Sequence, residues 1–491
     1  MTDSWATSSG ASGLDLHLAL GTPRPGRDLE AALRDAVTSG RLAPGARLPS
    51  SRALAADLGI ARNTVAAVYG QLAAEGWLLS RVGAGTWVAE PAAAAERRPV
   101  RAPAAPSRLD LRAGIPDVSA FPRSAWAASV RRALTDAEAG RLGYGDLLGD
   151  DALRRSLAAY LARARGVRTE PGSVVVASGF GDLLGLVGRA LAARGARRVA
   201  VERYGHAAHR AVLAATGLEL VPVEVDEGGL DVDRLAGIAG IDAVLVTAAH
   251  QFPTGVALAP DRRRALAAWA TRTGAVVVED DYDGEFRYDR RAVGALQALA
   301  PDHVVYAGTA SKALAPAVGL AWGAVPATLV EELRHERRLS GVRPDGLGQL
   351  TLARFLEDHE YDRTVRRRRG TYGARRRRLR QVVDERLPAC RLVGMDAGLH
   401  GLLALPDGVA ERAVTGAAAA RGLRLMGLGE HDAVGPGAPA AAPHVVVGFG
   451  APPGHRYEAA LEALVGAVLA ATPDALRPGS RPGSPARARR R

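Results

Sequence analysis

The sequence predicts an α/β protein of two units. The first is a small three-helix module with a β-hairpin. The second is a large, mostly parallel sheet with helices, followed by a small C-terminal α/β lobe. Three observations predict this. Three short helical stretches, stopped by Gly40, Gly59 and Gly76, precede two short runs that flank Val82-Gly83-Ala84-Gly85. Six short apolar runs then alternate with helical stretches, as βαβ units do. Between the two patterns, residues 91–108, opening PAAAAERRPVRAPAAPS, have the composition of a semi-extended linker.

Taken in order, Leu29, Leu33 and Val37 with Ala32 and Ala36 draw one apolar stripe on a helix starting near Asp28. Pro44-Gly45 marks a turn. Ser50 reads as the N-cap of a short helix carrying Leu54 and Leu58. A third helix, Arg62 to Glu75, turns Val65, Val68, Tyr69 and Leu72 inward. Trp77–Ser80 and Thr86–Ala89 form the hairpin. Three helices and such a wing make a winged helix-turn-helix over residues 24–90, whose third helix would lie in the major groove.

The second unit spans residues 109–471. Its strands are expected at Ser173–Ala177, Val199–Val201, Leu220–Val223, Ala243–Thr247, Val276–Val278 and Val304–Tyr306. Long helices follow Gly323, and Gly398–Leu405 with Val445–Phe449 supply strands of the small lobe. Residues 473–491, rich in Pro, Gly, Ser and Arg, read as a disordered basic tail.

The chemistry concentrates between Ala275 and Gly323. AVVV opens this stretch as a strand buried on both faces, with Asp280, Asp281 and Tyr282 at its carboxyl end, where open α/β sheets place ligands. Val304–Tyr306 delivers Thr309, Ser311 and Lys312 to the same edge. An acid, a phenol and a lysine with two hydroxyls are what pyridoxal 5'-phosphate requires. The lysine forms a Schiff base, the acid keeps the ring nitrogen protonated, and the phenol holds the ring oxygen. Lysine and arginine together number 64, yet Lys312 is the only lysine. Arginine cannot replace it, because a guanidinium stays protonated and forms no imine.

Composition narrows the setting. A hydrophobic content of 47% is ample for a core, and the single cysteine, Cys390, rules out disulfides within the chain. The opening MTDSWATSSGASG lacks a charged-then-apolar signal pattern, and no apolar run approaches membrane-spanning length, so a cytoplasmic protein is expected. The net charge of +12 is poor evidence for DNA binding. Arg363–Arg380, with ten arginines and no acid, and the tail account for it and leave the remainder slightly acidic. The Arg363–Arg380 helix reads as a solvated face, with an auxiliary phosphate contact as the alternative.

The stretch GARLPSSRALAADLGIARNTVAAVYGQLAAEGWL with the wing SRVGAGTWV resembles the GntR family of bacterial regulators. Matched to that pattern, Arg52 and the Arg62-Asn63-Thr64 corner are the expected operator-DNA contacts, with Gly83 at the wing tip. Asn pairs bidentately with adenine, and Arg with guanine or phosphate. The second unit resembles the fold-type I aminotransferases, and the whole chain resembles the MocR subgroup of GntR regulators. LGYGDLLGDDALRRSLAAYLARARGV, TAAHQFPTGVALAPDRR, VVVEDDYDGEFRYD and GTASKALAP follow in order. The resemblance implies that Lys312 forms the internal aldimine, Asp280 pairs with the pyridine nitrogen and Tyr282 binds the ring hydroxyl. It also implies that Ser178, Gly179, Thr309 and Ser311 surround the phosphate, with Tyr144 reaching it from the partner subunit of a homodimer.

Departures from the family pattern matter as much. SGFGDLL stands where SGAQQAL is usual and places Asp182 near the phosphate cradle. His206 takes the place of the tyrosine that stacks on the cofactor. Gly319 stands where an arginine pairs the phosphate, and the stretch AAPHVVVGFG has His444 but no arginine for a substrate carboxylate. Two readings therefore remain. One is a transcriptional regulator whose aminotransferase-like unit senses pyridoxal phosphate or its adduct with a small amine or amino acid. The other is a working aminotransferase with a DNA-binding appendage. The missing arginines favour the first.

Overall fold

The computed structural model describes residues 25–81, 84–90, 109–288, 293–434 and 442–473. Chain contacts separate two units, Met1–Ala104 and Ala105–Arg491. The expected linker at 91–108, Gly83 at the wing tip and all but the first residue of the expected tail lie outside the described residues.

In the first unit, helices span Pro25–Thr38, Ser51–Leu58 and Arg62–Ala74. The first begins three residues before Asp28, because proline's fixed φ suits the opening turn of a helix. Ser50 caps the second, its hydroxyl accepting from the Ala53 amide at 3.1 Å. Gly59 ends that helix at φ 66°, where only glycine is unstrained. The hairpin pairs Leu78–Arg81 with Gly85–Val88. A third strand, Arg47–Leu48, joins its other edge antiparallel. Two residues carry no period, so that pairing was not legible beforehand. Leu29, Leu33, Leu54, Val65, Leu72 and Val88 form the core, and the Tyr69 hydroxyl donates to the Pro49 carbonyl at 3.0 Å, tying the third helix to the turn before the second.

The second unit is built on a seven-stranded sheet. Its strands lie in the order Val174–Ala177, Ala321–Ala324, Val304–Thr309, Val276–Asp280, Ala243–Val246, Arg198–Glu202, Glu219–Val223. The last five run parallel to one another. Ala321–Ala324 runs antiparallel to both its neighbours. It was not anticipated, because AWGA is short and carries no strand periodicity. Close packing explains it: a Cβ on Gly308 would stand 2.4 Å from Trp322 Nε1. Val277, Val278, Val304 and Val305 are buried on both faces, each contributing about 1.5–3 kcal/mol of apolar burial.

The small lobe is a four-stranded sheet ordered Arg391–Val393, His400–Ala404, His444–Gly448, Met426–Gly427. The helix Glu360–Arg386 leads into it. This helix is not simply a solvated face. Arg375 reaches buried Asp117 at 2.8 Å, Arg368 donates to the Asp117 carbonyl at 2.6 Å, and Arg376 bonds Asp396 at 2.9 Å. Three of its arginines are therefore internal ties, made possible because helical spacing turns them inward. Among the described residues no helix is long and apolar enough to cross a membrane.

Candidate functional site

Four neighbouring strands end at one cavity of about 230 Å³. Glu202, Asp280 and Thr309 are the last residues of three of them, and Thr247 follows the fourth. The carboxyl edge of a parallel sheet is where backbone ends leave room for a ligand. Thr309 caps the single turn Ala310–Ala313, accepting from the Ser311 amide at 3.1 Å and lying 3.0 Å from the Ser311 hydroxyl. That turn carries Lys312 into the cavity, where Nζ lies 3.8 Å from the place a Cβ would take on Gly114. Among the described residues the lysine amine makes no hydrogen bond or ion pair.

Burial opposes charge on both the lysine and the acid of the site. Burial lowers the Lys312 pKa, opposed by Asp280 and Asp283. Burial also raises Asp280 well above the carboxylate range, with Lys312 pulling the other way. Tyr282 donates to the His250 carbonyl at 3.2 Å, and its oxygen lies 3.2 Å from His250 Nδ1, which is itself 3.0 Å from Asp283. His206 and His209 stack at 4.5 Å, and His209 Nδ1 stands 3.8 Å from Asp280. Burial lowers His206 and drives His209 down to about 3, so these rings are neutral at pH 7. Glu202 is pushed up to about 7 by burial, against hydrogen bonds from Thr247 and Gln251.

Of the residues singled out in the sequence, Lys312, Asp280, Tyr282, His206, Thr309 and Ser311 line this cavity. Ser178, Gly179 and Tyr144 do not; Ser178 is exposed, and Tyr144 is 88% exposed with Arg343 over its ring. His209, Arg210, Phe252 and Thr247 line it without having been foreseen. His209 and Arg210 were within reach of the sequence, since positions three and four beyond His206 share its helical face. His444 is not among the lining residues; its Nδ1 lies 2.6 Å from the Ala442 carbonyl.

Ser178 and Gly179, the expected phosphate cradle, precede the helix Phe180–Ala193. Asp182 accepts from the Ser178 amide at 2.9 Å and pairs with Arg337, which is wholly buried, at 2.9 and 3.0 Å. One amide at this helix N-terminus is thus already held by an internal carboxylate. Arg203 is held by Asp432 and Glu224 at 3.0 Å each, so it is not a spare cation. Arg210 differs. Its guanidinium donates to the carbonyls of Gly205, His431 and Asp432 and forms no ion pair among the described residues.

The residues present fit pyridoxal phosphate. A primary amine without a polar partner faces a cavity that also holds a buried acid and a buried phenol. Lys312, Asp280 and Tyr282 are the groups that would attach the cofactor, face its ring nitrogen and hold its ring oxygen.

In the first unit, Arg52, Arg62 and Asn63 are exposed and unpaired among the described residues, while Thr64 is half-buried against Gly26. The helix Arg62–Ala74 has no side-chain cap at Ala61, so no side chain there occupies its opening amides. Uncapped helix N-termini suit phosphate oxygens.

Comparison with known proteins agrees with both units. The family described as aminotransferase class I and II matches residues 108–410, and the gntR family of bacterial regulatory proteins matches residues 25–88. The chain is 33% identical to the HTH-type pyridoxine biosynthesis transcriptional regulator PdxR of Corynebacterium glutamicum, over 89% of this chain and 95% of that one. It is 32% identical to the probable rhizopine catabolism regulatory protein MocR of Rhizobium meliloti, over 72% and 75%. The kynurenine aminotransferase of Pyrococcus horikoshii shares the fold with a TM-score of 0.66 at 21% identity, covering 74% of this chain and 90% of that one. The chain therefore belongs to the MocR-type GntR regulators, transcriptional regulators in which a GntR module is joined to a fold-type I aminotransferase domain.

Proposed function

We propose that this regulator binds operator DNA through its winged unit and pyridoxal phosphate through Lys312, and that occupancy of the cavity sets its affinity for DNA. The observation that carries the reading is the Lys312 amine, buried among Asp280, Tyr282, Thr309 and Ser311 with no polar partner of its own. Bound there, pyridoxal phosphate supplies an aldehyde that reacts with primary amines and a ring that withdraws electrons. The chain's own residues hold and orient it. Asp280 would face the ring nitrogen, whose proton would restore the counter-charge that burial removes. Tyr282, oriented by His250, would donate to the ring oxygen. His206 would cover one face, and its neutral ring adds no charge there.

Sensing is favoured over turnover because the phosphate grip is weak. Gly319 offers no guanidinium, and Asp182 already occupies the Ser178 amide. Weak, reversible retention suits a reader of cofactor level. A relative that bears the name of a pyridoxine biosynthesis regulator points the same way. The amine half of an adduct would meet Arg210, a guanidinium in the cavity wall that forms no ion pair among the described residues, so an amine carrying a carboxylate fits. A homodimer is expected, with Tyr144 of one subunit completing the site of the other.

Lys312→Ala tests the reading. The variant should stay folded and lose the visible absorbance of the lysine-bound cofactor. Its DNA affinity should no longer respond to added pyridoxal phosphate, whereas the wild type's should. Linkage adds that operator DNA shifts cofactor affinity by the same factor. A variant whose DNA binding still responds like the wild type would remove Lys312 from the sensing step. Sustained turnover of an amino-acid and keto-acid pair at transaminase rates would replace the sensor by an enzyme.

A further inference from the structure

The arginines of the helix Glu360–Arg386 do two different things. Arg368, Arg375 and Arg376 are buried and tied to internal acceptors. Arg363, Arg366, Arg367, Arg369, Arg377 and Arg380 are exposed. At 3.6 residues per turn all but Arg367 fall on one arc of about 120°, and from Arg363 to Arg380 they run about 25 Å along the axis. No acid lies between those two positions in the sequence.

At the two ends Arg363 pairs with Glu360 and Arg380 with Asp396, but internal acids do not account for the face between them. Among the described residues Arg366, Arg367 and Arg377 make no hydrogen bond or ion pair, and Arg369 donates only to the Glu285 carbonyl, at 2.9 Å. Gly370 sits on the same arc with open space where a Cβ would stand, so a bulky partner can approach the backbone there. A cavity of about 380 Å³ opens at one end of the arc, with Arg163, Arg366 and Arg369 among its walls. Asp362 also lines it, but Arg163 already holds that acid at 3.0 Å. A merely solvated arginine face is usually interleaved with acids at helical spacing, and between Arg366 and Arg377 this one is not.

We propose that this arginine face is a second DNA-contacting surface, carried by the aminotransferase-like unit, which grips the phosphodiester backbone of duplex DNA. Charge complementarity selects the partner. DNA places a phosphate about every 3.4 Å along each strand, so the run from Arg366 to Arg377, about 16 Å long, faces roughly five of them. Guanidinium groups on an exposed helix match phosphate oxygens without requiring base sequence. The surface thus adds affinity and salt dependence to whatever sequence the winged unit reads.

The test uses the full chain and a mixed-sequence duplex of about 60 base pairs, because phosphate contacts are independent of sequence. Arg366→Gln, Arg369→Gln and Arg377→Gln are combined in one variant, and the three matching lysine substitutions in a second. The glutamine variant should show a plot of log affinity against log salt that is shallower by about 2–3, near one unit for each lost phosphate contact. The lysine variant should keep the wild-type slope, since a point charge serves a phosphate as well. A glutamine variant with wild-type slope and affinity would overturn the proposal and leave the winged unit's role intact. Equal loss in the lysine variant would overturn it too, by showing that the arginines act on the fold. A wild type that binds no duplex at all would overturn both.

Discussion

On the proposed reading Gly319 stands where an arginine would grip the cofactor phosphate, and replacing it separates two energies that are usually confounded. The residue ends a short turn at φ 61°, and a Cβ there would meet only the Ser178 carbonyl, at 3.9 Å. A side chain at 319 therefore starts beside the cradle residue and has room to extend. Gly319→Arg introduces backbone strain of roughly 1–2 kcal/mol, the cost of a left-handed conformation for a residue with a Cβ. That strain is present with and without ligand, so it lowers folding stability and cancels from the binding equilibrium. The new guanidinium adds charge-assisted hydrogen bonds to a bound phosphate, each worth about 1.5–3 kcal/mol. One such bond tightens pyridoxal phosphate binding by about 10- to 150-fold, at 1.4 kcal/mol per decade. Asp182 does not cancel this gain, because Arg337 already neutralises it.

The assay is a fluorescence titration of apoprotein with pyridoxal phosphate, repeated in the Lys312→Ala background to isolate the non-covalent part. Gly319→Ala is the control, carrying the same strain without the charge. Both variants should melt a few degrees lower than wild type, and only the arginine variant should bind more tightly. Equal cofactor affinity in all three proteins, with both variants melting lower, would refute the assignment of position 319 to the phosphate site.

Three further outcomes follow from the same structure. Arg62→Ala and Asn63→Ala should each weaken specific DNA binding by about 1–3 kcal/mol where the contact is to a base; unchanged affinity in both at matched salt would move the reading surface elsewhere. Glu202 holds its proton up to about pH 7 when folded, against an ordinary value of 4.5, so its stabilisation is full below 4.5 and is lost as pH rises through 7. Glu202→Gln should therefore flatten the melting temperature between those values, removing a term on the order of 3 kcal/mol; an unchanged profile would refute the buried-acid account. Tyr144, 88% exposed in a single chain, should become protected from solvent in solution if it completes a partner's site; a monomer in sedimentation at micromolar concentration would remove the dimer.

Much of the architecture was legible because it is written in local patterns. Glycines stop the helices of the first unit, and Ser50 caps where a hydroxyl is needed. The Val-rich runs Val276–Val278 and Val304–Val305 become parallel strands because both of their faces are covered. Lys312 stood out as the single lysine, and Asp280 and Tyr282 followed from their place at a strand end. What the tertiary structure alone decided is which side chain answers which. Asp182 finds Arg337 across 155 residues, and Arg203 is claimed by Asp432 across 229. The antiparallel strand Ala321–Ala324 exists because Trp322 packs where Gly308 leaves space. Arg210 lines the cavity while Arg203 does not, although both lie close to His206 in sequence. Periodicity records how each segment is buried, because burial is set by its own face. It carries no record of partners distant in sequence, whose pairing depends on where the whole chain has brought them.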